Sequence, residues 1–306
     1  MNLINKIEGA VFFVDILGIG FLTQNQIDLK KEDYEPWLKK YHLEYNAQHL
    51  AAALLSEFRE VLNELKLEFP DVTFAQLSDC AFIWSENITA VVIIVNRLMN
   101  NCLSRGLLCR GGLTYGEIIE TTKNLDLGKF IVGDAVSRAV KLEGIAKGAR
   151  VLIDQEIPIK LWEYDQNFRE KINPMFEPFT NPLDFMIYDE FRWYLVPMLS
   201  PDMENLDFIS NEYRVRLTKD RLLLACNVMY SSRFSWNSKN TGGKIQLKAT
   251  VNFLSANSLL KIYHNFEWTD IGQKRNDKYV ESIKKTVENY QQFYIVKKNP
   301  PPEFEE

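Results

Sequence analysis

The sequence predicts an α+β fold: a ferredoxin-like sandwich in which helices pack on a mixed sheet, with a helical C-terminal extension. First, the apolar run over residues 10–14 is typical of a strand buried on both faces, and it ends at Asp15. Second, two short apolar runs within residues 72–84 flank Ser78 and Asp79, which predicts an antiparallel hairpin with Asp79 at its tip. Third, the elements follow the order strand, helix, hairpin, helix, strand, helix and strand, which fits this topology.

Helical and strand-like periodicities place the remaining elements of this first domain. Pro70 ends a long helix, and Gly148 caps a later one. Gly111 and Gly112 lie inside a predicted strand, where glycines mark a bulge or a close approach of backbone. The predicted elements are a loop or short helix over residues 24–40, helices over 41–69, 87–105 and 135–147, and strands over 107–116, 151–153 and 191–197.

Beyond residue 200 the pattern becomes helical. We therefore expect a catalytic domain over residues 1–199 and a mainly helical extension of unknown role over 200–306. The extension is predicted to contain helices over 220–230, 247–263 and 277–294, an exposed loop over 231–243 and a frayed tail over 299–306.

Composition argues against several classes of function. The chain has 306 residues, 46% of them apolar, as expected of a well-cored globular protein. Its net charge of −5 comes from interspersed charges, so no nucleic-acid partner is expected. The apolar run over residues 88–98 is too short to cross a bilayer, so no membrane partner is expected. Because no signal peptide is recognisable and the four cysteines lack metal-site spacing, we expect a cytoplasmic protein with reduced thiols.

The end of the first strand carries the first candidate chemistry. A carboxylate at the end of a buried strand, such as Asp15, is costly unless a partner pairs with it. Gly18 and Gly20 follow, and glycines let backbone N–H groups approach an anion. These residues suit a divalent metal ion that carries a polyphosphate. The alternative is a solvated aspartate followed by an ordinary glycine turn.

Four segments together resemble the class III nucleotidyl cyclases. They occur in that family's order and with sensible spacing, and the resemblance covers residues 9–197. The segments are residues 14–21, with the first metal-binding aspartate; 77–80, with the second; 109–116, with an arginine that holds the triphosphate; and 132–143, the signature helix.

The resemblance implies a role for each matching residue. Asp15 and Asp79, with Ile16, would bind two divalent metal ions, Mn²⁺ or Mg²⁺, which need hard oxygen ligands. Arg110 would pair with β- or γ-phosphate oxygens through its planar guanidinium; the alternative is a surface arginine. The turn that cradles the phosphates would consist of Ile16, Leu17, Gly18, Ile19 and Gly20.

Departures from the family pattern bear on the substrate. The signature helix of the family carries an asparagine and, four residues later, an arginine that stabilise the transition state; Ser137 and Lys141 stand there in this chain. Purine-selective cyclases read the base with polar residues, often a lysine and an aspartate, where this chain has Ala75 and Phe130. Either the site is silent and the fold serves as a scaffold, or the base pocket is rebuilt for another base. Phe130 pointing into the core is the alternative to a base contact.

The rebuilt-pocket interpretation resembles the Pycsar anti-phage cyclases, which make cyclic UMP or cyclic CMP. It implies a uridylate cyclase, with CTP as the other possible substrate, that acts as a homodimer with composite sites and signals to a separate cyclic-nucleotide-gated effector. An adenylate or guanylate cyclase and a catalytically silent scaffold remain alternatives. A phosphodiesterase is disfavoured because His42, His49 and His264 are scattered and form no metal-binding pattern.

Overall fold

The structure is a computed structural model that describes residues 4–24, 26–42, 44–121, 129–203 and 211–255. The chain divides into two compact units. The first, here the sheet unit, comprises Met1–Ile16, Glu57–Asn101 and Cys109–Leu206. The second, here the helical unit, comprises Leu17–Ser56, Cys102–Leu108 and Asp207–Glu306. The predicted boundary at residue 199 stays a prediction.

A mixed sheet dominates the sheet unit and gives it the predicted α+β architecture. Among the described residues it has eight strands in the order β2-β3-β1-β4-β6-β8-β7, with β5 paired to β4. Neighbouring strands are antiparallel except β4 and β6, which are parallel. The strands are β1 Ile4–Ile16, β2 Thr73–Leu77, β3 Cys80–Ser85, β4 Cys109–Thr121, β5 Ile131–Val132, β6 Val151–Ile153, β7 Phe176–Thr180 and β8 Ile187–Phe191.

The helices agree with the predicted pattern for the long amphipathic segments. The helices predicted over 41–69, 87–105 and 135–147 correspond to α3, α4 and α5, although α3 begins only at Ala47. Helix α2 begins within the segment 24–40, predicted as a loop or short helix, and ends at Tyr41. The described helices are α1 Ile19–Thr23, α2 Lys31–Tyr41, α3 Ala47–Glu68, α4 Ile88–Ser104, α5 Asp134–Ile145, α6 Glu156–Tyr164, α7 Gln166–Lys171, α8 Asn211–Tyr230 and α9 Thr241–Ser255. None of these helices combines the length and apolar character that a membrane crossing needs.

The glycine pair of β4 sets how closely helix α5 approaches the sheet. A Cβ at Gly112 would lie 2.1 Å from the carbonyl oxygen of Ala139 in α5, and one at Gly111 would lie 2.3 Å from the Phe12 ring on the other face. The Thr114 hydroxyl donates to the Ala135 carbonyl at 2.7 Å and fixes the helix lengthwise. The predicted close backbone approach is confirmed.

The strand predicted over residues 191–197 is wrong. Strand β8 ends at Phe191, and Trp193–Leu195 form a buried 3₁₀ turn. The carbonyls of Trp193 and Val196 accept hydrogen bonds from the Asn96 side-chain amide, each at 2.7 Å, so a side chain from helix α4 takes the place of a neighbouring strand. The apolar, aromatic composition of this segment reflects its burial rather than a strand.

The exposed loop predicted over residues 231–243 is also wrong. Residues Ser232–Lys239 form a 3₁₀ segment, within which Phe234, Trp236 and Asn237 are buried. Helix α8 contains the predicted 220–230 helix, and α9 begins at Thr241, ahead of the predicted start at residue 247. The rest of the helix predicted over 247–263, the helix over 277–294 and the tail lie outside the described residues.

Candidate active site

Two of the predicted site residues, Asp15 and Arg110, lie side by side on neighbouring strands of the sheet unit. Asp15 of β1 lies directly opposite Cys80 of β3 on one side and Arg110 of β4 on the other. Side chains in one row of a sheet point to the same face, so these three share a face. Asp79 precedes Cys80 at the hairpin tip, and its carbonyl accepts a hydrogen bond from the Ile16 N–H at 3.0 Å. The predicted hairpin is therefore present, and its tip lies beside the end of β1.

The pKa values of two side chains on this face, Asp15 and Cys80, are raised. Burial, followed by the negative charges of Glu143 and Asp79, raises the pKa of Asp15 to about 7, although Arg110 acts in the opposite direction. Burial and the same group of carboxylates raise the pKa of the Cys80 thiol to about 11, so this cysteine is a neutral thiol near pH 7. Asp15 and Asp79 are half-buried, and a divalent cation would lower the cost of ionising Asp15 beside its carboxylate neighbours.

Arg110 is held in a defined orientation by helix α5. Its Nε donates to Glu143 Oε1 at 2.7 Å, and its Nη2 lies 2.6 Å from the same oxygen. Its Nη1 donates to the Ala146 carbonyl at 2.8 Å. The two side chains are only 12% and 11% exposed, which excludes the surface-arginine alternative. A guanidinium has five N–H groups, so these three contacts leave it able to donate to a ligand.

Glu143 is the site residue that the sequence analysis missed. It continues the buried stripe of α5 formed by Ala135 and Ala139, each four residues apart, and it is itself buried. A carboxylate at the end of an apolar stripe is expensive to bury without a partner. The position of Glu143 in the sequence, at the end of an apolar helical stripe, could therefore have indicated a buried carboxylate with a cationic partner. The structure identifies Arg110 as that partner.

Residues 17–20 of the predicted phosphate turn belong to the helical unit, and Gly18 has the expected glycine geometry, whereas Gly20 lies in α1. Gly18 has φ +98°, in the left-handed region that favours glycine, and α1 starts at Ile19. The Leu17 N–H donates to the Leu108 carbonyl at 2.8 Å, and the Leu17 carbonyl accepts from Asn237 Nδ2 at 3.3 Å. Leu17 and Ile19 are buried, whereas Gly20 is exposed.

The remaining predicted residues differ in their exposure to solvent. Ser137 and Lys141 are exposed on α5, and the Ser137 hydroxyl donates to the Gly133 carbonyl at 3.1 Å. Over the described ranges, neither residue shares a hydrogen bond or ion pair with Asp15 or Asp79. Ala75 is half-buried, whereas Phe130 is 52% exposed and does not point into the core.

The donor set fits a divalent metal ion. Asp15 and Asp79 supply hard carboxylate oxygens, and the pKa of Asp15 is raised first by burial and then by the neighbouring carboxylates, a combination that a cation would offset. Over the part of the chain that the structure describes, no group of three or more His, Cys, Asp or Glu side chains could enclose a metal ion. Oxygens of the substrate, water or backbone would therefore complete the coordination, as is usual for Mg²⁺ bound with a polyphosphate.

Comparisons with known proteins place the chain near cyclase structures. No family model and no curated protein matches it. It is similar to the adenylyl cyclase CyaB from P. aeruginosa, with 16% identity over 66% of this chain and 99% of that one and a TM-score of 0.42. It is also similar to the guanylate cyclase domain of RhGC from Catenaria anguillulae in complex with GTP, with 14% identity over 61% of this chain and 96% of that one and a TM-score of 0.39. A third similar structure is a non-canonical dimeric guanylyl cyclase domain of the RhoGC fusion protein from the aquatic fungus Blastocladiella emersonii. Its identity is 16% over 62% of this chain and 97% of that one, with a TM-score of 0.37.

Proposed function

We propose that this protein is a nucleotidyl cyclase that converts a pyrimidine nucleoside triphosphate to its 3′,5′-cyclic monophosphate and pyrophosphate. The observation that carries the proposal is the row formed by Asp15 and Arg110 on neighbouring strands, with Asp79 tied to it through the Ile16 N–H. Two carboxylates for cations and one oriented guanidinium for phosphate are the groups that a metal-bound triphosphate needs.

The residues of the sheet unit would divide the work of cyclisation between them. Asp15, Asp79 and Ile16 would hold two divalent ions, Mn²⁺ or Mg²⁺, which neutralise charge and activate the 3′-hydroxyl when bound. Arg110 would pair with β- or γ-phosphate oxygens while the pyrophosphate leaves. Because Glu143 already orients the guanidinium, little side-chain entropy is lost when the phosphate binds. The turn over residues 17–20 is proposed to contact the phosphates through its backbone.

The exposed positions favour a homodimer with composite sites. Ser137 and Lys141 lie on the solvent side of α5, so a second subunit could present them to the substrate held by Asp15. Several large apolar side chains are exposed in the same unit, which suits an interface between subunits. They are Leu77, Phe130, Val132 and Val140.

The base pocket is proposed to accept uracil, with cytosine as the other possibility. Ala75 and Phe130 offer no polar group to a purine edge, and Phe130 is exposed enough to pack its ring against a base. Uracil is favoured on the resemblance to Pycsar cyclases, which also suggests that the cyclic nucleotide is a second messenger for a separate effector in anti-phage defence. A catalytically silent scaffold is the second candidate, because the Arg110–Glu143 pair already occupies part of the guanidinium.

The direct test is incubation of the purified chain with each of the four ribonucleoside triphosphates and Mn²⁺, followed by mass spectrometry of the products. Cyclic UMP, or cyclic CMP, is the expected product, and Asp15→Asn with Asp79→Asn serves as the inactive control. Cyclic AMP or cyclic GMP as the main product would retain the cyclase and reject the pyrimidine assignment. No cyclic product with any triphosphate would favour the scaffold.

A further inference from the structure

The helical unit contains a cavity that the proposed cyclase chemistry does not use. Its volume is about 620 Å³, which lies within the range of about 300–1,000 Å³ for small-molecule sites. Its walls come from helices α2 and α8 and from the start of the 3₁₀ segment over Ser232–Lys239. The residues that matter here are Pro36, Leu223, Leu224, Asn227, Ser232 and Arg233.

Arg233 brings a positive charge to the wall of this cavity. Arg233 Nη1 donates to the Arg105 carbonyl at 3.3 Å, and the guanidinium lies 5.6 Å from the centre of the Trp37 ring. Within the described ranges of the chain, Arg233 forms no ion pair with a carboxylate. Over the same ranges only one of its five N–H groups donates to protein, so the guanidinium can receive an anion.

The other lining residues indicate what kind of group the anion would be attached to. Leu223, Leu224 and Pro36 present apolar surface, and the Asn227 amide is turned towards the Leu103 carbonyl, to which it donates at 3.1 Å. A single guanidinium balances one negative charge, so a carboxylate fits better than a phosphate monoester, whose second charge would stay unpaired in a partly desolvated site. The cavity therefore suits an apolar chain that ends in one carboxylate.

The same segment reaches the turn that follows Asp15 in the chain. Arg233 lies near the start of the 3₁₀ segment, and its backbone N–H donates to the Ser231 hydroxyl at 3.3 Å. Three residues further on, a Cβ at Gly18 would meet the Trp236 ring at 3.0 Å, and next to it Asn237 donates to the Leu17 carbonyl. A ligand that fixes Arg233 would order this segment and, through it, the Leu17–Gly18 turn.

We infer that the helical unit binds a small amphipathic carboxylate, with its head on Arg233 and its apolar chain against Leu223 and Leu224, and that binding orders the Leu17–Gly18 turn. The binding step does not depend on the proposed cyclase activity. Failure of one therefore leaves the other open to its own test.

Calorimetric titration of the full chain with decanoate, decanol and inorganic phosphate tests the head and the tail separately. We expect decanoate to bind about tenfold more tightly than decanol, because the ion pair adds to the same apolar contact, and phosphate to bind more weakly than decanoate. Arg233→Gln should remove that advantage, Arg233→Lys should keep part of it, and Lys244→Gln, which removes an exposed charge from the same unit, should change nothing. Equal binding of decanoate and decanol, phosphate binding as tight as decanoate, or no binding at all would overturn the inference.

A second variant covers the case in which Arg233→Gln fails to fold. Leu224→Trp fills the cavity and leaves the charge, so it should weaken decanoate binding while the thermal transition is retained. Unchanged decanoate binding in this variant would reject the site. Hydrogen exchange at the amides of Leu17 and Ile19 should slow when decanoate binds, and an unchanged rate would reject the coupling to the turn.

Discussion

Arg110 of β4 and Glu143 of α5 form a nearly buried ion pair, with Nε donating to Glu143 Oε1 at 2.7 Å, on the sheet face that also carries Asp15. The pair links the helix to the proposed phosphate-binding guanidinium. It also places a negative charge near Asp15, where Glu143 is the second-largest cause of the raised pKa after burial. Glu143 is therefore a positioning residue with two separable effects.

Glu143→Gln should separate those effects. Without the carboxylate, Arg110 loses its ion pair and is held less firmly, although its contact with the Ala146 carbonyl remains. We therefore expect KM for the triphosphate to rise about tenfold while kcat falls less. Loss of the negative charge also lowers the pKa of Asp15, so Mn²⁺ binding should persist to lower pH than in the wild type. Titrations with Mn²⁺ across pH 5–8 measure the shift in the pH range of metal binding. Glu170→Gln, at an exposed position of α7, is the control. An unchanged metal-binding pH profile would show that Glu143 does not act on Asp15.

Asp15→Asn should stabilise the metal-free protein while abolishing cyclisation. A folded-state pKa of about 7, raised from 3.8, means that the native state binds the proton more tightly than the unfolded state does. Wild-type stability therefore falls as pH rises from about 4 to above 7. The variant lacks this penalty, so its free energy of unfolding at pH 8 should exceed that of the wild type by about 2 kcal/mol, a value reduced for the partial solvation of the group.

Urea denaturation at pH 4 and pH 8, without metal, tests this stability change. The gain of Asp15→Asn should shrink towards zero as the pH falls to 4, and saturating Mn²⁺ should favour the wild type instead. A variant less stable than the wild type at pH 8 would contradict a pKa raised by burial and neighbouring carboxylates.

Gly112→Ala should detach helix α5 from the sheet. The added Cβ would lie 2.1 Å from the Ala139 carbonyl, and neither backbone can move without disturbing the Thr114–Ala135 hydrogen bond. We expect a loss of at least about 2 kcal/mol in the free energy of unfolding. Gly144→Ala on the same helix is the matched control, because its Cβ meets nothing within 4 Å, and it should be neutral or slightly stabilising. Similar stabilities for the two variants would disprove the close packing.

Particular residues show what the sequence could predict. The aspartates and Arg110 were predictable because each lies at a strand end or beside a glycine pair, where local pattern and local geometry coincide. Glu143 was missed because its partner depends on the lengthwise position of α5, which Gly112 and Thr114 set from 20 or more residues away in sequence. The wrongly predicted strand over 191–197 has a similar origin. The side-chain amide of Asn96, which is distant in sequence, donates hydrogen bonds to the carbonyls of Trp193 and Val196.

The polar composition of residues 231–243 hides a buried segment. Residues 231–243 are rich in serine, asparagine and lysine, which predicts a loop, yet Phe234 and Trp236 are among the largest fully buried side chains. Two large aromatic anchors suffice to bury a short 3₁₀ segment, whereas periodicity needs several turns before it becomes visible.

Mixing experiments test the composite sites of the proposed homodimer. Asp15→Asn and Lys141→Ala should each be weak or inactive alone, because each damages both sites of its own dimer. Mixed in equal amounts with free subunit exchange, they should regain about a quarter of wild-type activity, because half of the dimers then hold one intact site of two. Asp15→Asn mixed with Asp79→Asn is the control, since both changes affect the same half-site and cannot complement. Absence of recovery in exchanging subunits would argue against shared sites.

The last prediction concerns the choice of base. With equal UTP, CTP, ATP and GTP, a cyclic pyrimidine should dominate the products, because Ala75 and Phe130 leave a purine's polar edge unpaired. Installing the family's polar pair, Ala75→Lys with Phe130→Asp, should raise the purine share of the products by about tenfold. Folding should survive, since Phe130 is 52% exposed and Ala75 is only half-buried. The matched control is Val132→Asp, which adds the same charge at a nearby exposed apolar position and should leave the product ratio unchanged. Cyclic purines as the main wild-type product, or an unchanged ratio in the double variant, would remove these two positions from the base pocket.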